Sequence, residues 1–299
     1  ERERARALLA TLLHVEPAQV ALTASTADGC QVVLAGLDLG PEDEIVTTDQ
    51  EHFGLLGPVH ATGASVRVAR IDGRGGDEAL AAIRAEIGPR TRLLAVSQVL
   101  WTTGELLPVE ALRRETGVPV LVDGAQSAGA LDVDGNAVDF LTVSAQKWLC
   151  APEGTGALIV RDPEALAVAR PSYLGNAGYE PDGSFVPRPG AARFDTILAS
   201  APATAGLIAA LEGLPADAFE RGRVAAARCR ELLAGRVEVV TSPDQAGLVA
   251  WRDADAAASA ERLAEAGVIV RDIPGRGLLR ASCGWWTSDG DLDRLLAAL

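Results

Sequence analysis

Apolar runs typical of β-strands alternate with amphipathic stretches typical of helices through the first two thirds of this 299-residue chain. We predict strands over 20–23, 44–48, 65–70, 93–97, 118–123, 140–143 and 157–160, with helical patterns over 28–39, 77–87 and 109–116 between them. Strands that alternate with helices form βαβ units, whose strands pair in parallel and are covered on both faces. The pattern therefore predicts an α/β fold with a mostly parallel sheet and flanking helices.

The last third of the chain has a different pattern. Residues 171–189 are rich in glycine and proline, and we expect them to form an irregular loop that serves as a lid or a subunit contact. Helical patterns then cover 203–212, 219–233, 256–266 and 289–299, and strand patterns cover 237–241, 247–252, 268–272 and 278–282. We therefore predict a large domain over residues 1–213 and a smaller C-terminal α+β domain over residues 214–299.

Charge and cysteine content exclude several classes of partner. Forty-one acidic residues against 27 basic ones give a net charge of −14, so we expect neither nucleic acid nor a membrane as a partner. The four cysteines, Cys30, Cys150, Cys229 and Cys283, form no C-x-x-C pair, which indicates reduced thiols, a cytoplasmic location and no metal site. The chain begins at Glu1 in a helical pattern and contains no methionine, so we expect that an N-terminal segment is missing.

The basic residues are unusually uniform. Of the 27, 26 are arginine and one, Lys147, is lysine. Arginine replaces lysine as a surface charge, but only the lysine amine forms an imine with an aldehyde. The count alone leaves two interpretations open: a lysine that forms a Schiff base, or a lysine that survives by chance on an exposed face.

The neighbours of Lys147 favour the first interpretation. Asp123 ends the apolar run V-P-V-L-V, and Lys147 follows the next apolar run. The carboxyl ends of neighbouring parallel strands meet at one edge of a sheet, where ligands of α/β proteins bind. Pyridoxal phosphate needs such a pair, because a lysine holds its aldehyde and a carboxylate keeps its ring nitrogen protonated.

Two further segments match other parts of that cofactor. Residues 23–29, T-A-S-T-A-D-G, end a strand and open a helix, where backbone N–H groups favour a phosphate, although an ordinary N-cap is commoner at such a position. His52 follows the strand over 44–48 and could stack on a pyridine ring, whereas we interpret His14 and His60 as structural or exposed.

These segments carry a resemblance to a known family. The runs V-L-V-D-G-A-Q-S-A-G and D-F-L-T-V-S-A-Q-K-W-L-C-A-P-E-G-T-G-A-L resemble the class V aminotransferases, which are fold-type I pyridoxal-phosphate enzymes. The runs T-A-S-T-A-D-G-C-Q-V-V-L-A-G-L-D-L, D-Q-E-H-F-G-L-L and L-L-R-A-S-C-G-W-W-T are similar to the cystine C–S lyase branch, close to cysteine desulfurases and isopenicillin N epimerase-like proteins. The resemblance covers the chain from Ala21 onward and implies a homodimer with shared active sites.

The resemblance also implies roles for individual residues around the cofactor. Lys147 would bind the aldehyde as an imine, Asp123 would pair with the ring nitrogen, and His52 would stack on the ring. Gln126 would bond the phenolic oxygen of the ring. The phosphate would be held by hydroxyl-bearing residues, namely Ser25, Thr26 and Ser144.

Outside the cofactor, the resemblance assigns two arginines and shows two departures. Arg280 would bind the substrate carboxylate, with Arg271 as a second arginine. Gln146 stands where the family usually has a histidine that contacts the cofactor. Leu198 stands where a hydroxyl would reach the partner subunit's phosphate, so Thr196 or Ser200 is expected to substitute.

The expected activity is that of a pyridoxal-phosphate-dependent lyase. Lys147 would remove the Cα proton of cystine, cysteine or a related conjugate, and β-elimination would give pyruvate, ammonia and sulfide or persulfide. A cysteine desulfurase is the nearest alternative, but it needs a mobile cysteine and the predicted loop over 272–279 has none. An aminotransferase, an isopenicillin N epimerase-like enzyme and an inactive pyridoxal-phosphate-binding homologue also stay open, the last because of Gln146 and the expected loss of an N-terminal segment.

Overall fold

The structure is a computed structural model that describes residues 1–196 and 200–299. The chain divides into two compact units. The large unit comprises residues 1–98 and 107–214, and the small unit comprises residues 99–106 and 215–299. The domain boundary that we place after residue 213 stays a prediction. The short segment 99–106 belongs to the same compact unit as the C-terminal residues. No local sequence pattern indicates this assignment.

The large unit is built on one sheet, which has seven strands within the described residues. In chain order these are β1 (Val20–Thr23), β2 (Glu44–Thr48), β3 (Ser65–Ala69), β4 (Thr91–Ser97), β5 (Val120–Asp123), β6 (Phe140–Ser144) and β7 (Gly156–Val160). Their order across the sheet is β1-β7-β6-β5-β4-β2-β3. The five strands from β6 to β3 pair in parallel, and β7 is antiparallel to both β6 and β1. The predicted mostly parallel sheet is confirmed.

Helices cover this sheet. They are α1 (Arg2–Leu12), α2 (Thr26–Gly36), α3 (Phe53–Ala61), α4 (Gly76–Ala85), α5 (Val109–Thr116) and α6 (Ala201–Glu212). Every residue of β1, β2, β5, β6 and β7 is buried, as expected for strands with both faces covered. The sequence pattern misses α3, because Gly54, Gly57 and Pro58 are poor helix formers.

The segment over 171–189 is not wholly irregular, so that prediction is wrong in part. It contains an antiparallel hairpin of β8 (Asn176–Tyr179) and β9 (Phe185–Pro187). Tyr179 pairs with Phe185 across the hairpin, and both side chains are exposed. Because neither strand has a buried apolar face, the sequence lacks the alternation of apolar and polar residues that would predict the hairpin.

The small unit is α+β, as predicted. Its antiparallel sheet has the order β10-β12-β11, formed by β10 (Leu248–Arg252), β11 (Arg271–Ile273) and β12 (Leu278–Ser282). Its helices are α7 (Ala218–Ala234), α8 (Ala256–Glu265) and α9 (Asp289–Ala298). The strand predicted over 237–241 is wrong, because only a single bridge joins Val239 to Trp251. Val237 and Val239 pack, partly buried, against the core of this unit. The alternation of apolar and polar residues over 237–241 therefore reflects this packing and not the hydrogen bonds of a strand.

Candidate active site

The candidate site residues of the large unit lie at or just after the carboxyl ends of strands of its sheet. Ser25 and Thr26 follow β1, His52 follows β2, Asp123 is the last residue of β5, and Lys147 follows β6 by three positions. In an open sheet with parallel strands, this edge is the usual place for a ligand. The fold therefore puts the predicted residues at one edge of one sheet.

Asp123 is the buried charge of this site, with 5% of its surface exposed. Burial raises the pKa of its carboxyl, while the N–H of Ala125, donated over 2.9 Å, and the charges of Lys147 and His52 act in the opposite direction. The amine and the imidazole are thus each within electrostatic range of the acid. The side chains of Lys147 and Gln146 are exposed, which leaves the amine accessible to a ligand.

The three hydroxyl residues predicted to hold a phosphate lie together at the start of α2. Ser25 is the N-cap of that helix, and its Oγ accepts the N–H of Asp28 at 3.3 Å. The N–H of Thr26 donates to Ser144 Oγ at 3.0 Å, and the two hydroxyl oxygens are 2.8 Å apart. Hydroxyls beside the N-terminus of an 11-residue helix are well placed for an anion.

Gly156 allows this close approach of strand and helix. A Cβ at this position would lie 2.3 Å from the carbonyl oxygen of Val143 and 3.2 Å from the backbone nitrogen of Ser25. Any side chain there would push β7 away from the turn that carries the hydroxyls. The G-T-G sequence after Lys147 therefore has a packing reason.

His52 is the N-cap of α3, and its Nδ1 accepts the N–H of Gly54 at 3.0 Å. Since Nδ1 is an acceptor, the neutral ring carries its proton on Nε2. A Cβ at Gly54 would lie 3.2 Å from Nδ1 and 3.5 Å from the Cβ of Ala27. Gly54 therefore lies between the imidazole and Ala27, which is in the first turn of α2.

Gln126 is buried, and its Oε1 accepts the indole N–H of Trp148 at 3.0 Å. Trp148 directly follows Lys147, so this bond joins the loop after β5 to the loop after β6. Sequence reasoning singles out Gln126 and misses Trp148. Its position next to the lysine is the available signal.

Glu51 is a second buried acid that sequence reasoning misses. Its Oε1 accepts the hydroxyl of Thr48 at 2.7 Å, and its Oε2 accepts the N–H and the hydroxyl of Ser97 at 2.9 and 2.5 Å. Burial raises its pKa to about 7, to which the negative charge of Asp123 also contributes. Ser97, which binds Glu51, is also the residue that pairs with Asp123 across β4 and β5. The carboxyl groups of Glu51 and Asp123 therefore both lie near the ends of these two adjacent strands.

The chemistry of these side chains fits pyridoxal phosphate. The site offers an amine, a buried carboxyl near it and hydroxyls at a helix N-terminus, which are the partners that an aldehyde, a pyridine nitrogen and a phosphate require. The amide nitrogen of Gln126 makes no hydrogen bond within residues 1–196 and 200–299, so a donor is left for a ligand. In the described part of the chain no cluster of acidic, histidine or cysteine side chains could hold a metal ion.

The small unit contributes a pair of arginines on neighbouring strands, where Arg271 and Arg280 face each other across β11 and β12. Arg280 is 9% exposed and donates one hydrogen bond to the carbonyl oxygen of Trp101. Its Nε has no hydrogen-bond partner among the described residues. Burial, and then the charge of exposed Arg271, lower the pKa of Arg280 to about 10. A buried guanidinium with an unused donor fits a carboxylate ligand.

Residues of the predicted phosphate-reaching segment have partners within this chain. The hydroxyl of Thr196 donates to the carboxylate of Asp28, and Ser200 caps α6 by accepting the N–H of Ala203 at 3.3 Å. Leu198 lies outside the described residues. The role of Thr196 or Ser200 toward a partner subunit stays a prediction.

Comparison with known proteins decides the family. The model of the family described as aminotransferase class-V matches residues 1–182. The chain belongs to the class V aminotransferases. Isopenicillin N epimerase from Streptomyces clavuligerus is 31% identical to it, in an alignment that covers 99% of this chain and 83% of that relative. A probable cysteine desulfurase from Pseudomonas aeruginosa is 32% identical over 99% of this chain and 81% of its own length.

Among solved structures, the cystine C–S lyase C-DES in complex with its reaction product cysteine persulfide is similar throughout. It has a TM-score of 0.89 and 30% sequence identity, and the alignment covers 99% of this class V chain and 85% of the lyase. A second C-DES structure, with glycine covalently linked to the pyridoxal phosphate cofactor, has the same TM-score and identity. The predicted family and its fold type are confirmed.

Among the described residues, no helix combines the length and the apolar character needed to cross a bilayer.

Proposed function

We propose that this class V protein is a pyridoxal-phosphate-dependent C–S lyase. It would eliminate the sulfur substituent of cystine, cysteine or a related conjugate and release pyruvate, ammonia and sulfide or persulfide. One observation carries the proposal: the edge that brings together Lys147 and Asp123 belongs to a chain that is 30% identical to a cystine C–S lyase over 99% of its length. As a class V enzyme, the chain uses pyridoxal phosphate.

Each part of the cofactor has a proposed partner. Ser25, Thr26 and Ser144 hold the phosphate, and Gln126 donates to the phenolic oxygen. His52 packs on the ring face. When bound, pyridoxal phosphate supplies an electron sink that stabilises negative charge on the substrate Cα.

Asp123 holds a proton at the ring nitrogen. Its burial strengthens this role, because a carboxylate in a low-dielectric site binds a nearby cation more strongly than an exposed one does. Lys147 would hold the cofactor aldehyde and, once the substrate amine has displaced it, its free amine would accept the Cα proton as a general base. Its side chain is exposed, so a ligand can approach the amine.

In the small unit, we propose that Arg280 binds the substrate carboxylate. A planar guanidinium offers two parallel N–H donors to such a group, and Arg280 Nε is not used within the described chain. Arg271, on the next strand and exposed, adds a second positive charge. Gln146, which replaces a histidine of the family, is exposed and therefore also open to the cofactor.

The turn between β11 and β12 supports a lyase over a cysteine desulfurase. This turn consists of residues 274–277 and contains no cysteine that could accept sulfur as a persulfide. Cys229 and Cys283 are buried in the core of the small unit. Of the four cysteines, only Cys150 is exposed, and it lies three residues beyond Lys147.

An epimerase is the second candidate, because isopenicillin N epimerase is 31% identical over 99% of this chain. Both activities begin with loss of the Cα proton to Lys147. They differ in the next step, since an epimerase returns a proton to Cα and a lyase breaks the Cβ–S bond.

Product analysis separates these activities. Purified holoprotein is mixed with L-cystine, L-cysteine or a cysteine conjugate in D₂O, and pyruvate, alanine, sulfide and Cα deuterium are measured together. We expect pyruvate and sulfide or persulfide in equal amounts, with no alanine. Cα deuterium without pyruvate would establish the epimerase, and alanine would establish the desulfurase.

Cys150→Ser adds a matched control to this experiment. A lyase needs no cysteine acceptor, so the variant should form pyruvate at the wild-type rate. Alanine formation that disappears in Cys150→Ser would instead identify Cys150 as a persulfide acceptor and overturn the lyase assignment.

We further propose a homodimer, as the family resemblance implies, in the cytoplasm, as the cysteine pattern indicates. Light scattering of the purified protein should give twice the chain mass of 31.0 kDa. A monomeric protein with full activity would contradict shared active sites.

A further inference from the structure

In the hydrogen bond between Trp148 and Gln126, the indole is the donor and the amide oxygen is the acceptor. The proposed function assigns no role to this bond. The indole Nε1 of Trp148 lies 3.0 Å from Oε1 of Gln126. Trp148 is 4% exposed and Gln126 is 9% exposed, so water does not compete freely for this bond. The two residues lie on separate loops, after β6 and β5 respectively.

The indole fixes which end of the amide points where. An indole N–H can only donate, whereas an amide has one end that accepts and one end that donates. If the Gln126 amide were rotated by half a turn, two N–H groups would face each other in a buried place. Leaving such donors unsatisfied is unfavourable, so the carbonyl end must face Trp148 and the –NH₂ end must face away.

The –NH₂ end of Gln126 is thereby offered to a ligand. It makes no hydrogen bond inside the described part of the chain. Gln126 follows Asp123 by three residues, and Trp148 follows Lys147 directly. The oriented amide thus belongs to the two loops that carry the acid and the amine.

We propose that Trp148 is a positioning residue that makes Gln126 a hydrogen-bond donor toward the cofactor. This inference rests on the proposed function, because it requires that pyridoxal phosphate occupies the site. A donor at the phenolic oxygen stabilises its negative charge and favours loss of a proton from the lysine-bound cofactor. Without Trp148 the amide is free to present its oxygen, which repels that negative charge.

The test uses the holoprotein and its visible absorbance. Trp148→Phe keeps an aromatic ring and removes the N–H donor. The pH midpoint of the absorbance change should rise by roughly half a unit to one unit, and affinity for pyridoxal phosphate should fall about two- to tenfold. Trp286→Phe, at a partly exposed tryptophan of the small unit, is the control and should change neither value.

A double-mutant cycle separates positioning from mere packing. If Trp148 acts through the amide, Trp148→Phe should produce no further shift of the midpoint in a Gln126→Ala background. An unchanged midpoint in Trp148→Phe, or an equal shift in both backgrounds, would overturn the inference. If the wild-type protein takes up no pyridoxal phosphate at all, the proposed function and this inference both fall.

A second measurement does not depend on the folding of Trp148→Phe. The wild-type chain has five tryptophans, whose indole N–H resonances are separate signals in a ¹H–¹⁵N spectrum. Gln126→Ala should move one of them upfield as its acceptor is lost. Five unmoved indole resonances would show that the bond is not made in solution and would contradict the proposal.

Discussion

The cofactor edge of the large unit and the arginine pair of the small unit balance their charges in opposite ways. In the large unit, buried Asp123 is faced by the positive charge of Lys147, with His52 also in electrostatic range. In the small unit, buried Arg280 is faced by a like charge, Arg271, across two strands. The first arrangement is compensated within the chain, and the second has an excess of positive charge.

The contrast indicates which group each region is suited to receive. A compensated site can be held together before its ligand arrives, as the bonded hydroxyls of Thr26 and Ser144 show. An uncompensated buried cation gains most from an anionic partner, because the ligand removes both the repulsion and part of the desolvation penalty. The contrast thus supports our proposals that the edge of the large unit holds the cofactor and that the arginine pair of the small unit binds a carboxylate.

The largest expected effect comes from removing the amine of the compensated site. Lys147→Ala should lower kcat by at least about 10⁴-fold, because it removes both the general base and the aldehyde-binding group. Steady-state pyruvate formation measures this loss. Lys147→Arg keeps the charge and should be equally inactive, while Arg294→Lys, at an exposed position of α9, should leave turnover unchanged. Substantial activity in Lys147→Arg would show that charge alone matters.

The second largest effect is expected for substitution of the buried arginine of the pair, which should lower activity and raise stability. Arg280→Met should lower kcat/KM by about 10²- to 10³-fold through lost carboxylate binding. The same variant should raise the free energy of unfolding of the substrate-free protein by about 1–2 kcal/mol, because a buried unpaired charge is replaced by an apolar group. Kinetics and urea titration measure the two effects. If Arg280→Met loses both activity and stability, the claim that Arg280 is an unpaired buried charge in the substrate-free protein is wrong.

The raised pKa of Glu51, which lies near Asp123, should make the free energy of unfolding depend on pH. Its folded pKa of about 7 lies above its usual 4.5, so its stabilising contribution is complete below pH 4.5 and is lost as the pH rises through 7. Glu51→Gln should therefore gain up to about 3 kcal/mol in unfolding free energy relative to wild type between pH 4.5 and 8. Urea titrations at both pH values measure this gain, with Glu261→Gln on exposed α8 as the control. A difference between Glu51→Gln and wild type that is the same at both pH values would exclude the shifted pKa.

The smallest effect is expected at the exposed member of the arginine pair. Arg271→Gln should raise KM by no more than about fivefold with kcat unchanged, because an exposed charge is screened by water. Michaelis curves at low and high salt measure it, and the effect should shrink as salt increases. An effect as large as that of Arg280→Met would place the exposed residue, and not the buried one, on the substrate.

The sequence predicts the central sheet and the residues at its edge well, for a local reason. Buried parallel strands are continuous apolar runs, and the first polar residue after each run marks a strand end, as Asp123 does. The lone lysine among arginines then points to the chemistry. The functional roles of these residues stay predictions, but their grouping at one edge is confirmed by the fold.

The contacts that join distant segments could not be predicted in this way. The bond from Trp148 to Gln126 and the burial of Glu51 against Ser97 depend on side-chain packing between loops that are far apart in the chain. The sequence pattern misses helix α3 and the β8–β9 hairpin because neither has the periodic apolar residues that mark the other elements. Val237 and Val239 show the opposite error, since they are partly buried against the core without forming a strand.

Borohydride reduction of the holoprotein, followed by peptide mapping, examines the proposed lysine link itself. Reduction makes the link between the cofactor aldehyde and its amine permanent. We expect one pyridoxyl group per chain, on the peptide that contains Lys147, and none after reduction of Lys147→Ala. A wild-type protein that binds pyridoxal phosphate but carries no label on that peptide would contradict the role of Lys147.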